Sequence, residues 1–259
     1  MNQYTYAWGI GCPLLHILLC IFFRAINIYP EKSRGGSRMS DVLAFLIVAG
    51  LSVTYLGIAG VLAYTTDVVD LKAMEADPFY RGEEFVVNHL IIPMVMYQTW
   101  NFFACLLVSE FNDPFMIGHH FVTGSLGYLG FHPYLHYKGL FFFGVAELTN
   151  IPLTMYDIFK RFKDLREKFP TLDNLVQMIF AASFIVVRLI AWPIISFDFW
   201  VGSIKLLMSG EAHSNFVVCY FLVSNIFLTG LQLMWGQTII GKLLEALGMR
   251  KKKDSKKKK

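Results

Sequence analysis

Four residues in the middle of this chain are of types that do proton chemistry or hold a polar ligand, and they sit where the sequence is otherwise apolar. His119 and His120 follow Asp113-Pro114-Phe115-Met116-Ile117-Gly118, and the next apolar run carries Glu147 and Asn150. A neutral imidazole near its pKa can take a proton from a hydroxyl or an amine at cytosolic pH. A carboxylate and an amide can orient such a group or hold a lipid headgroup. Keeping an ionisable residue inside a membrane span costs roughly 2.5 to 3.5 kcal/mol on insertion scales, so a chain that keeps several puts them to use.

Spacing adds a partner. Glu147 is nine residues from Lys138 and ten from Asp157, and Arg188 is thirteen from Leu175 and twelve from Trp200, so both fall near mid-span. A lone charge at that depth is costly, so Glu147 and Arg188 are expected to pair; a structural pair without chemistry satisfies the same arithmetic. Asn150 shares a face with Glu147, and Gln98 shares one with Asn101, which together suggest a polar-lined interior. Asp113 before Pro114 is a helix-start signal, since the carboxylate can cap free amides and proline tolerates the first helical position. His119 and His120 then lie about 8 to 9 Å into that helix. Neighbouring helical residues point about 100° apart, so one imidazole is expected to face the interior and the other to orient it.

These residues need helices that cross a membrane. The chain has 259 residues, of which 55% are hydrophobic and 16% aromatic, with a mean hydropathy of +0.49. That is too apolar for a soluble globule, and runs of the ~20 residues needed to cross a bilayer recur. The expected fold is all-α and polytopic, with seven spans: Trp8 to Phe23, Val42 to Tyr64, Phe85 to Val108, Pro114 to Phe131, Gly139 to Tyr156, Leu175 to Trp200 and Phe216 to Ile240. The first, fourth and fifth are the shortest. Pro93, Pro152 and Pro193 interrupt spans and could splay helices around a chamber. Gly124, Gly127 and Gly130 form a row that admits a close neighbour. The four cysteines lie in apolar runs, where thiols pack as small hydrophobes. The first apolar run lacks a basic leader and a cleavage site, so it is expected to stay in the mature protein.

Charge sets the orientation. With a lumenal N-terminus, eighteen of the 23 Lys and Arg fall on the cytosolic side and four on the other, leaving Arg188 within a span. The positive-inside rule then favours N-out, C-in and an odd number of spans. The tail from Arg250 to Lys259 can hold anionic lipid at about 1 kcal/mol per basic residue. Its end also has Lys256 and Lys257 where a dilysine retrieval signal for the endoplasmic reticulum needs them, which implies recognition by coat protein.

The ordered set of His119-His120, Glu147-x-x-x-x-Pro152 and intramembrane Arg188, with the glycine-rich helix between, resembles the TLC-domain family of endoplasmic-reticulum membrane proteins, over roughly residues 41–244. The resemblance implies six helices in a barrel around a lipid-sized cavity, preceded by one extra helix. Residues 1–40 then hold that helix and a basic loop, and 245–259 a basic cytosolic tail. In the ceramide-synthase branch the histidine pair is followed by a His-Asp pair and a further Asp. Here Ala146, Glu147 and Asn150 stand in those places, so the chain looks like the branch linked to phospholipid composition and lipid trafficking. The reading that follows is a protein that binds phospholipid or acyl chains, with membrane lipids as partners. His119, His120 and Glu147 are candidate catalytic groups, and Asp113, Asn150, Arg188, Asn101 and Gln98 candidate lipid contacts. The runner-up is an acyltransferase with acyl-CoA as co-substrate and a histidine as general base.

Other classes fit less well. A di-iron hydroxylase would use His132-x-x-x-His136 beside His119-His120, but Pro133 breaks that helix and the topology separates the two pairs. No metal or other cofactor is expected. Inverted repeats of a transporter, nucleotide loops and hydrolase motifs are absent from the sequence, and no nucleic-acid partner is implied.

Overall fold

The computed structural model describes residues 3–33 and 35–246. The chain traverses the molecule seven times: α1 (Gln3–Ala25), α2 (Met39–Thr65), α3 (Glu84–Leu107), α4 (Pro114–Leu129), α5 (residues 136–161), α6 (Pro170–Ser209) and α7 (Asn215–Ala246). Short helical turns, Leu71–Ala76 and Lys163–Lys168, lie in the connections. Five of these helices, α1, α2, α3, α6 and α7, are long and apolar enough to cross a bilayer among the described residues. Two of the three passes expected to be shortest, the fourth and the fifth, fall outside that set. α4 has 16 residues, about 24 Å at 1.5 Å per residue. α5 is interrupted by wide and tight turns. Most passes run further than the sequence suggests, α6 by the whole of 170–174 and 201–209, because helices continue beyond the apolar stretch.

Six passes close into a ring. α2 packs on α3, α3 on α4, α4 on α7, α7 on α6, α6 on α5, and α5 back on α2. α1 lies outside, against α2 and α3, with only 6% of its apolar window buried. The closest approach is between α2 and α5, where a Cβ on Gly60 would fall 2.5 Å from the Gly144 Cα. The expected glycine row also serves packing: a Cβ on Gly127 would meet Val95 at 2.8 Å and one on Gly124 would meet Gln98 at 3.3 Å, both on α3.

All basic segments within the described residues gather at one end of the ring. Arg24 pairs with Asp41 at 2.6 Å, Arg161 with Glu110 at 3.1 Å, and Lys242 donates to the Tyr156 hydroxyl at 3.2 Å. Tyr29 donates to Asp164 at 2.6 Å, tying the first loop to the same end. The opposite end is held by Lys138 with Asp198 and by the Tyr80 hydroxyl donating to the Glu211 carbonyl at 3.1 Å. An odd number of passes is what puts these basic segments together.

Three prolines mark where helices depart from regular geometry. A proline lacks the N–H that would bond the carbonyl four residues back, and its ring crowds that carbonyl. The turns before Pro93 and Pro193 widen into π-helix, Val87–Ile91 and Phe184–Ala191, and the turn before Pro152 tightens into 3₁₀-helix, Val145–Thr149. Arg188 lies in one of these irregular turns and Glu147 in another.

Candidate functional site

A chamber of about 350 Å³ opens inside the ring toward its basic end. Aliphatic and aromatic residues such as Leu46, Val53, Leu153, Phe180 and Phe184 make most of its wall. Its polar lining comes from every helix of the ring except α2: Gln98 and Asn101 from α3, His119 and His120 from α4, Glu147, Asn150, Thr154 and Asp157 from α5, Arg188 from α6, and Gln232 and Lys242 from α7. A narrower cavity of about 50 Å³ lies toward the opposite end and shares His119, Glu147 and Arg188 with the chamber. Those three side chains are the partition between the two spaces.

Glu147 and Arg188 pair as their depths imply, both buried, with Arg188 Nη2 at 3.7 Å from Glu147 Oε1. Their hydrogen bonds go elsewhere. Asn150 Nδ2 donates to Glu147 Oε2 at 2.7 Å, Arg188 Nε donates to Thr149 Oγ1 at 3.0 Å, and Arg188 Nη2 donates to the Ala146 carbonyl at 2.8 Å. The guanidinium also stands 5.3 Å from the Trp192 ring centre. The tight turn 145–149 explains the last two bonds: it turns the Ala146 carbonyl and the Thr149 hydroxyl toward α6, supplying the acceptors a buried guanidinium requires. The sequence reading missed Thr149; as a threonine one residue from Asn150 it carried no distinguishing signal.

The histidines divide their tasks. His120 is buried, and its Nδ1 lies 2.6 Å from Gln98 Oε1. The Gln98 amide nitrogen donates to Met94 Sδ at 3.3 Å, so the oxygen faces the ring. An amide oxygen only accepts, so His120 Nδ1 carries the proton and Nε2 keeps a lone pair. His119 packs edge-on against Trp235 and His120, and its Nδ1 has no hydrogen-bond partner among the described residues. Both imidazoles border the chamber, and His120 has the orienting hydrogen bond.

Two candidates from the sequence do other things. Asp113 caps α4, accepting from the amides of Phe115 at 2.9 Å and Met116 at 3.1 Å, and it does not border the chamber. Asn101 borders it, but its amide donates to the Tyr97 hydroxyl at 3.1 Å and its oxygen accepts from Cys105 Sγ at 3.4 Å. Both ring nitrogens of His136 are engaged at the opposite end, Nδ1 by the Glu83 amide at 3.1 Å and Nε2 by the Gly130 carbonyl at 2.9 Å. His132 stacks on His213 there, and His136 borders the narrower cavity with both its ring nitrogens already engaged. Among the described residues no group of three or more His, Cys, Asp or Glu is arranged to hold a metal ion. Lys256 and Lys257 lie outside the described residues.

Gln232, Trp235 and Lys242 on α7 also line the chamber and were not singled out from the sequence. Their signal was there, since Asn225, Thr229 and Gln232 recur at helical spacing within a strongly apolar run.

No curated protein and no solved structure matches the chain. The TLC domain matches residues 41–241, the six-helix ring but for the first two residues of α2 and the last turn of α7, and without α1. The chain belongs to the TLC-domain family.

Proposed function

We propose that this protein binds a membrane lipid inside the ring and acts in membrane lipid homeostasis or lipid trafficking. It does so in the endoplasmic reticulum membrane, with the N-terminus lumenal and the basic end of the ring cytosolic. The observation that carries the reading is the chamber: aliphatic and aromatic walls suited to chains, with a polar cluster of His119, His120, Glu147, Asn150 and Arg188 at its inner end. A concave, mostly apolar pocket with a few converging polar groups is the form a small-molecule site takes. The clustering of basic segments at one end supports the orientation. Mass spectrometry of lipid that copurifies with the protein tests the reading. A defined lipid class is expected with the wild type and less of it with His120→Ala, and a wild type free of stoichiometric lipid overturns it.

One observation favours a second reading, acyl transfer from acyl-CoA. His120 is held by Gln98 in the tautomer that leaves Nε2 basic, which is how a general base is prepared. In that reaction a lipid hydroxyl or amine gives its proton to His120 Nε2 as its oxygen or nitrogen bonds the thioester carbonyl. The carbon–sulfur bond breaks, and the leaving thiolate recovers the proton from the imidazolium. Turnover of acyl-CoA with an acceptor that disappears in His120→Ala establishes the enzyme; retained lipid without turnover leaves the binding protein.

A further inference from the structure

The polar stripe of α7 is unevenly satisfied. Asn225 Oδ1 accepts from the Trp200 indole at 2.9 Å and Thr229 Oγ1 from the Trp192 indole at 3.0 Å, both donors coming from α6. Gln232, one turn further along the same stripe, is only 1% exposed and borders the chamber, yet neither its amide nitrogen nor its amide oxygen has a partner among the described residues. A buried carboxamide left in this state loses the hydrogen bonds it had in water, so its persistence is informative. His119 Nδ1 and the buried Thr123 hydroxyl on the facing helix α4 are unpartnered as well. His119 and Gln232 both border the chamber, as do Glu147 and Arg188.

Charge narrows what these groups receive. Apart from the two imidazoles, the chamber's charged lining is two carboxylates, Glu147 and Asp157, and two cations, Arg188 and Lys242, which balance and leave no surplus fixed positive charge for a phosphate. Arg188 already faces Glu147 and bonds Thr149 and Ala146. Moving a phosphate to this depth carries a desolvation cost that only a free cation would offset, whereas an uncharged hydroxyl or ester reaches mid-bilayer at small cost. A carboxamide offers one acceptor and two donors side by side, and its complement is a group with a donor next to an acceptor.

We propose that Gln232, with His119, is the headgroup-reading element of the chamber, and that it takes an uncharged lipid whose hydroxyl lies beside an ester carbonyl, the chemistry of a diacylglycerol. The hydroxyl donates to Gln232 Oε1, and the carbonyl accepts from Gln232 Nε2. The chains follow the aliphatic wall. The proposal rests on the lipid-chamber reading above and narrows its ligand from lipid in general to one class.

The test is lipid retention by the full chain in nanodiscs, read by native mass spectrometry after equal additions of dioleoylglycerol, triolein, phosphatidylcholine and phosphatidic acid. Dioleoylglycerol is expected to be retained at least tenfold over triolein, which lacks the donor, and over both phospholipids. Gln232→Leu is expected to abolish that preference. The same substitution removes an unpaired buried amide, so the lipid-free variant should melt no lower than the wild type, which separates lost recognition from lost folding. Retention of either phospholipid at the level of dioleoylglycerol, or a preference unchanged in Gln232→Leu, overturns the assignment and leaves the chamber reading standing. Retention of none of the four overturns both.

Discussion

Arg188 faces Glu147 across 3.7 Å, yet bonds the backbone and a hydroxyl of the turn that carries Glu147 more closely than it bonds the carboxylate. The turn, rather than the carboxylate alone, is its receptor. Glu147 has its own hydrogen bond, from Asn150. The pair is thus two partly independent anchors between α5 and α6, and both residues also line the partition between the two cavities.

Replacing one member alone should leave a buried charge facing apolar wall, at a cost of about 3 to 5 kcal/mol. Glu147→Leu is expected to destabilise less than Arg188→Leu, because Arg188 keeps Thr149 and Ala146 whereas Glu147 would keep only Asn150. The double variant should be more stable than the sum of the single losses implies. Thermal melts of all four proteins in one detergent check this, and strictly additive losses would show that the two charges do not interact.

Gly60 and Gly144 bring the backbones of α2 and α5 together, with a Cβ on Gly60 landing 2.5 Å from the Gly144 Cα and the Val145 nitrogen. Backbone atoms cannot rotate away as a side-chain end can. Gly60→Ala is expected to cost about 1 to 3 kcal/mol, as overpacking does, and to loosen the turn that presents Glu147. Gly11→Ala, on the outer face of α1 with nothing within 4 Å, serves as the control. Equal melting temperatures for the two variants would contradict the close approach.

The loop between α1 and α2 is fastened through Glu110. Ser33 beside it, the Gly35 amide donating at 3.0 Å and Arg161 at 3.1 Å hold its carboxyl below the usual 4.5. A carboxylate with a lowered folded-state pKa contributes stability that is full above the unfolded value and is lost as pH falls through the folded one. Hydrogen exchange at Gly35 and Gly36 should therefore accelerate as pH drops below about 4.5, after correction for intrinsic rates. Glu110→Gln should show fast exchange throughout; protection in that variant equal to wild type would assign the fastening to other contacts.

The tail makes a prediction about place. Lys256→Ser with Lys257→Ser is expected to release the protein from the endoplasmic reticulum to later compartments, seen by microscopy of a tagged chain. A variant that stays in place reassigns the tail to lipid contact. Protease treatment of intact microsomes should remove a C-terminal epitope, and its protection would reverse the proposed orientation.

Much of this architecture could be read along one dimension. Span length, apolar runs and the distribution of Lys and Arg are properties of successive residues, so seven passes and the gathering of basic segments at one end follow from counting. Depth is likewise a distance along a helix, which is why Glu147 and Arg188 could be paired before any contact was seen. What counting could not supply is rotation. α2 is apolar on most faces, so periodicity does not say which face turns inward, and the order in which helices close the ring rests on close approaches such as Gly60 to Gly144. Rotation also chose among chemically similar polar side chains. It turned Gln98 to His120 and Asn101 to Tyr97, spent Asp113 on a helix end, gave Arg188 the Thr149 hydroxyl, and left Gln232 unpaired at the chamber wall. Hydrogen bonds depend on fractions of an ångström and on angle, and those are set by packing across the ring rather than by position in the chain.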